Sequence, residues 1–280
     1  MLPAQFSHFH IKSFSLYSPL QLAAKYIRYY FTASNGKGHG IHSPFVFDFI
    51  TEVMNDTTEY PAYKKMADLR RQLLADRRIL QVDDFGAGSV TGSGKQRTVA
   101  AVAKTAAKPA KLGQLLFRMV QYYKPAYIVE LGTSLGLSAA YLAMANPHAK
   151  LVTLEGAAAV AAAAKENFSA LGIGNAELRE GNFDKTLPAL LQQSPAVGLA
   201  FIDGNHRKEP TIRYFEQLLQ KADSTGIIVL DDIHWSSEME AAWNAVKQHP
   251  ESMLTIDLFF MGLVFLNPGF KVKQHFVIRF

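Results

Sequence analysis

Residues 129–143 read VELGTSLGLSAAYLA, and this stretch decides the fold. Val129-Glu130-Leu131 closes a short apolar run on an acid, Gly132-Thr133-Ser134-Leu135-Gly136 is a turn, and Leu137 opens a run of helix formers. Strand, glycine turn and helix in that order form the first unit of a parallel α/β sheet. Ligands of such sheets bind beyond the carboxyl ends of the strands, where the first amides of the following helix face them. The turn is not the dinucleotide pattern GxGxxG, because Ser134 and Leu137 stand where the second and third glycines belong. A two-phosphate cofactor is therefore disfavoured. What remains is ExGxxxG, followed at the end of the next apolar run by Glu155, a carboxylate placed to accept hydrogen bonds from both hydroxyls of a ribose.

Working outward, AYIVELG, AKLVTLEG, AELREGN, VGLAFIDG and TGIIVLDD alternate with the helix-like SAAYLAMA, AAVAAAAKENFSALG and PTIRYFEQLLQKA. The alternation predicts an α/β fold with a doubly wound, mostly parallel seven-stranded sheet. TIDLFF, a turn at Met261-Gly262 and LVFLN add an antiparallel C-terminal hairpin. Toward the N-terminus, Ser18-Pro19-Leu20-Gln21 is a capping box that starts a helix reaching about Ala33. Ser43-Pro44 repeats the signal, and Tyr63, Met66, Leu69 and Leu73 recur at helical spacing. Two regions are expected: a helical cap over 1–105, with a Gly-rich linker at 85–95, and a sheet domain over 106–280.

That linker belongs to a second glycine cluster, VDDFGAGSVTGSGKQ at 82–96. A phosphate loop ending in Gly94-Lys95 needs glycine at 89 and a hydroxyl residue at 96, where Ser89 and Gln96 stand. The segment reads instead as an exposed linker, or as a loop whose Asp84, Gly86 and Gly88 close over the ligand.

Cysteine is absent, which excludes disulfides, a thiol nucleophile and thiolate-held metals. No apolar run is long enough to span a bilayer and no secretory signal is evident, so the cytoplasm is expected. Residues 1 to 110 carry 14 Lys and Arg against 8 Asp and Glu, whereas the remainder carries 15 against 16. The basic excess is thus N-terminal, and it reads as a solvated helix face or as an attraction for nucleic acid, acidic lipid or an anionic substrate.

The motifs together resemble class I S-adenosylmethionine-dependent methyltransferases, and within them the catechol and caffeoyl-CoA type O-methyltransferases. VELGTSLGLSAAYLA resembles that group's first motif, and KLGQLLFRMVQ its preceding helix, placing Gly113 and Gln114 near the cofactor. LEG at 154–156 resembles the ribose-binding motif, and EGNFDKTLPAL the segment flanking the adenine. The resemblance covers roughly residues 110–266. It implies S-adenosyl-L-methionine as cofactor, held by Glu130, Gly132, Thr133, Ser134, Gly136, Ser138, Glu155, Gly156, Asn182, Phe183 and Asp203. GKGHGIHSPFVFDF resembles the N-terminal extension of a group of bacterial methyltransferases and brings no activity with it.

In the metal-dependent members the fourth strand ends in an Asp ligand with a Lys base three residues on, and the fifth in Asp-Asn. Here Asp203, His206 and Asp231-Asp232 stand at those places. One reading gives Asp203, Asp231 and Asp232 to Mg²⁺ or Ca²⁺. The other makes His206, with Asp203, the catalytic pair without any metal. Both stay open at this point. Asp203-Gly204-Asn205-His206 is unlike the acid-proline-proline-aromatic signature of base N-methyltransferases. The expected activity is O-methylation of a small hydroxylated or carboxylated acceptor, with the N-terminal helices as roof. Alternatives are a non-catalytic adaptor and an RNA O-methyltransferase. A small-molecule acceptor and a homodimer are the expected partners, rather than nucleic acid.

Overall fold

The computed structural model describes residues 16–82, 96–106 and 109–280. The loop-closure reading of Asp84, Gly86 and Gly88, and the linker at 85–95, lie outside the described residues.

Helix α1 (Pro19–Thr32) starts with the expected capping box: Gln21 N donates to Ser18 Oγ at 3.3 Å and Ser18 N to Gln21 Oε1 at 2.8 Å. Helix α2 (Pro44–Asp48) runs on into a π-turn at Phe49–Met54, and α3 spans Pro61–Ala75. Strands β1 (Ile79–Gln81) and β2 (Gln96–Thr98) pair antiparallel before α4 (Val99–Ala106) and α5 (Ala110–Tyr123). The alternating region follows as β3 (Tyr127–Leu131), α6 (Leu137–Ala145), β4 (Lys150–Glu155), α7 (Ala158–Leu171), β5 (Ala176–Glu180) and α8 (Phe183–Gln193). It continues through β6 (Val197–Ile202), α9 (Lys208–Lys221), β7 (Ala222–Asp231) and α10 (Ser237–Gln248). Strands β8 (Leu254–Asp257), β9 (Met261–Phe265) and β10 (Gln274–Val277) end the chain.

The sheet has the order β10-β8-β9-β7-β6-β3-β4-β5. Five strands from β5 to β7 are parallel, and β9 runs antiparallel to both β7 and β8. An eighth strand, β10, lies parallel to β8 at the edge. Its short sequence QHFV is half-exposed and carries no alternation from which it could have been read. The hairpin turn lies three residues earlier than expected, at Leu258–Phe260, with Phe259 at φ 69. Gly262 is a strand residue: a Cβ there would collide with the Trp243 ring, so packing rather than turning requires the glycine.

Successive residues of the strands face opposite layers. Ile128, Leu199 and Phe201 join one core cluster, and Val129, Ala200 and Ile202 the other. Helices α8, α9 and α10 cover the second face through Leu187, Leu218 and Trp243. The first face is covered by α5, α6 and α7 and also by Val46, Phe49, Met66, Leu69, Val99 and Val102 of the N-terminal helices. These helices therefore share one core with the sheet. The chain leaves β3 toward β4 and β5 on one side and returns to β6 and β7 on the other, so strand order reverses between β3 and β6. A crevice at the carboxyl ends of these two strands is the geometric result.

Candidate active site

Leu131 and Asp203 sit at that reversal, joined by a 2.8 Å bond from Asp203 N to Leu131 O. Gly132 follows at φ +103, where a Cβ would overlap the Asp203 carbonyl oxygen. Only glycine fits. Gly136, at φ +82, leaves room for the Phe168 ring behind the turn and opens α6. Asn167 Nδ2 donates to the Leu135 carbonyl at 2.9 Å, so α7 fixes the turn from below. Ser134, Asn205, His206 and Asp232 also have positive φ. Such backbone in non-glycine residues costs energy and concentrates where function holds it.

Above these loops lies a cavity of about 330 Å³. Gly132, Thr133, Ser134 and Ser138 form its floor, Glu155 and Gly156 one side, and Asn182 and Phe183 another. Asp203, Gly204, Asn205, His206 and Asp232 complete the strand-end wall. The remaining wall comes from Met66 and Arg70 of α3, Thr105 of α4, and Gly113 and Leu116 of α5, with Tyr141 of α6. Gln114, expected beside Gly113, is not in the wall. Neither are Gly136, Glu130 and Asp231.

Glu155 is set by its neighbours. Ser134 N donates to Oε2 at 2.8 Å and Ala157 N to Oε1 at 2.9 Å. Burial raises its pKa, against the lowering effect of the backbone donors of Ala157, Ser134 and Gly156. Each oxygen keeps a lone pair for a ligand hydroxyl. Glu130 is fully buried beneath the floor; Thr153 Oγ1 donates to its Oε2 at 2.5 Å, and Thr133 lies 2.6 Å from Thr153. Burial pushes its pKa up to about 7, although the Ser138 and Thr153 hydroxyls pull it down. Asn182 spends its side-chain oxygen on Asp184 N at 2.8 Å, capping α8, while the Phe183 ring closes on Gly204, where a Cβ would strike it.

His206 Nε2 lies 3.5 Å from Asp203 Oδ1. Ligating atoms of Asp203, His206 and Asp231 all lie within 4.8 Å of one another. Among the described residues this is the group that could hold a metal ion, and Asp232 is not in it. Of the expected carboxylates, Asp203 and Asp231 stand in this group with His206, and Asp232 lines the cavity wall beside them. Asn205 Nδ2 donates to Tyr214 OH at 3.2 Å, and Tyr214 to Asp184 at 2.7 Å. Asn205 Oδ1 is buried without a hydrogen bond among the described residues, as a polar atom awaiting a ligand would be.

Apart from Gly113, the residues of the far wall are those missed from sequence. Met66 and Arg70 are four apart on α3 and so share a face, a spacing visible in the sequence, but only the docking of α3 beside α6 turns that face to the cavity.

Residues 129–233 match the family model of a methyltransferase domain. No curated protein matches the chain. Among solved structures, the O-methyltransferase TomG from Streptomyces achromogenes, involved in tomaymycin synthesis, is 18% identical with a TM-score of 0.53, over 78% of this chain and 95% of its own. The O-methyltransferase from Bacillus cereus is 18% identical with a TM-score of 0.51, over 79% and 97%. The Podospora anserina methyltransferase PaMTH1 is 16% identical with a TM-score of 0.55, over 79% and 95%. At such identities the likeness is one of fold, and the family match lies on the strands and turns that build the cavity. Residues 129–233 thus match a methyltransferase domain, set in a fold that the chain shares with these methyltransferases.

Proposed function

We propose that the cavity binds S-adenosylmethionine and that the protein methylates an oxygen of a small hydroxylated or carboxylated acceptor. The observation that carries this reading is the convergence of Glu155 and the His206–Asp203 pair on one cavity at the strand-order reversal. The similar structures support it: that of TomG is in complex with S-adenosylmethionine and those from Bacillus cereus and Podospora anserina are bound to S-adenosylhomocysteine.

The residues present fit the cofactor. Glu155 accepts the two ribose hydroxyls on its remaining lone pairs, and Gly132 lets the ligand approach the backbone where any Cβ is already excluded. Phe183 and Asn182 flank the base, Asn205 Oδ1 offers an acceptor, and Thr133, Ser134 and Ser138 face the methionine end. Bound there, S-adenosylmethionine supplies an electrophilic methyl group on a sulfonium. The protein's task is then alignment and removal of the acceptor's proton. His206 takes that proton on the ring nitrogen turned away from Asp203, and the Asp203 carboxylate steadies the imidazolium that forms.

A second reading is favoured by the clustering of Asp203, His206 and Asp231: these would hold a divalent ion that lowers the acceptor's pKa. Two carboxylates with one imidazole suit Mn²⁺ or Zn²⁺ better than the Mg²⁺ or Ca²⁺ expected from sequence, which prefer oxygen alone. As a ligand, His206 is no longer the base.

Titration calorimetry with S-adenosylhomocysteine tests the cofactor. Wild type binds, and Glu155→Ala binds at least ~tenfold more weakly, a difference of about 1.4 kcal/mol; equal affinities would refute the site. Methyl transfer to a panel of phenols and acids then falls by ~10²-fold or more in His206→Ala. Activity abolished by a chelator and restored by Mn²⁺ selects the metal reading, and indifference to chelator selects the base.

A further inference from the structure

Methyl transfer leaves the outward side of α1 unused, and that side is unusual. Leu22, Tyr26, Tyr29 and Ala33 turn inward onto Phe259, Phe260 and Val277. On the opposite face Leu20, Ala24, Ile27 and Phe31 follow one another at helical spacing and are exposed, Leu20 at 83%, Ile27 at 56% and Phe31 at 78%. A helix docked on a soluble core ordinarily presents polar residues there. Large exposed apolar side chains in a row mark a contact with something else.

Charge says what that contact is. Arg28 borders the stripe on one side, and on the other the Arg279 guanidinium lies 4.3 Å from the centre of the Tyr30 ring. Helix α1 contains no acidic residue, and the first Asp or Glu in the whole sequence is Asp48. Glu240, beside α1, is already engaged by Lys25, Tyr17 and His234. A second copy packed stripe to stripe about a two-fold axis would set these basic borders against each other with no α1 carboxylate to offset them. RNA would meet aliphatic side chains instead of hydrogen-bonding groups. An anionic bilayer suits both features at once: aliphatic and aromatic side chains enter the acyl boundary while the cations meet lipid phosphates.

We propose that α1 is a docking face for an anionic lipid surface, on which Leu20, Ile27 and Phe31 insert and Arg28 and Arg279 pair with headgroups. The protein is then peripherally membrane-bound through a face independent of the methyltransferase cavity. Co-sedimentation of the full chain with phosphatidylcholine vesicles, with and without about 30% phosphatidylglycerol, measures it. Partition onto the anionic vesicles should exceed that onto neutral ones by ~tenfold at ~0.1 M salt and weaken as salt screens the headgroups. Ile27→Asp with Phe31→Asp should reduce binding by ~tenfold or more, and Arg28→Glu alone by several-fold. If the double variant melts early, Arg28→Glu carries the comparison, since it leaves the apolar stripe intact. Equal partition onto both vesicles, or undiminished binding by folded variants, overturns the proposal. A wild-type dimer that the same substitutions convert to monomer, or RNA binding that they abolish, overturns it equally.

Discussion

Glu130 shows at the scale of one residue how the strand-end motif works. It occupies the acid position of ExGxxxG, yet its carboxyl points under the floor and not into the cavity, where it steadies Thr153 and through it Thr133. Its pKa of about 7, set first by burial, has a consequence for stability. The folded state holds this proton more tightly than the unfolded state, so the stabilisation is complete below about 4.5 and is lost as pH rises through about 7. Over that window wild type should lose up to about 3 kcal/mol from this group. Glu130→Gln, which keeps the shape and the Thr153 contact, should flatten that part of the profile. Urea unfolding at pH 5 and pH 8 measures the difference; parallel slopes for both proteins would assign the pH dependence elsewhere.

At the scale of elements, the joint between α5 and the π-turn after α2 decides where the N-terminal helices sit. The buried Arg118 of α5 donates from Nε to Val53 O at 2.6 Å and from a terminal nitrogen to Met54 O at 3.2 Å. These carbonyls belong to the last residues of the π-turn, where the helix ends and leaves its final carbonyls without helical partners. Arg118→Ala would strand both in the core beside Phe117 and Val120, at a cost of about 3 kcal/mol. The loss should appear in the urea midpoint, and hydrogen exchange should quicken first at Phe49–Met54. A substitution that lowers the midpoint while leaving that segment's exchange unchanged would place the role of Arg118 elsewhere.

At the scale of the whole molecule, a half-buried polar latch ties the first described helix to the C-terminal strands. His234, in the loop after β7, lies 2.9 Å from Asp257 of β8 and 3.0 Å from Glu240 of α10. Glu240 in turn accepts from Tyr17 at 2.6 Å and from Lys25 of α1 at 2.9 Å. Tyr29 of the same helix bonds the Ile278 carbonyl and accepts from Phe280 N, so the described start of the chain is pinned to its end. Burial would lower the His234 pKa, but Asp257 and Glu240 outweigh it and raise it. For the two carboxylates, burial acts upward and is outweighed by their partners, which hold them low. The imidazolium's contribution is complete below about 6.5 and fades as pH rises through its higher folded value. The carboxylates' contribution fades as pH falls below about 4. His234→Ala should therefore cost about 3 kcal/mol near pH 6 and less in alkali. Thermal unfolding across pH checks this, and a constant difference at every pH would exclude the charged latch.

Sequence by itself determined what depends on neighbours along the chain. Strand, turn and helix at 129–143, the Ser18 capping box and the alternation of apolar runs are local signals, and each appears in the structure at the residues that carry it. Position at the strand ends brought Glu155, Asp203 and His206 to one cavity, because in a parallel sheet every strand delivers its last residue to the same edge. What needed tertiary structure was anything set by a partner distant in sequence. Gly262 looks like a turn residue until Trp243 is seen to occupy its missing side chain, and β10 is a strand only because β8 offers it an edge. The grouping of His206 with Asp203 and Asp231, and the place of Asp232 in the cavity wall, follow from how the loops after β6 and β7 meet in space. The far wall of the cavity, with Met66 and Arg70, exists because the shared core packs α3 against α6. Side-chain chemistry is written in the order of residues, whereas the facing of one element toward another is chosen by long-range packing.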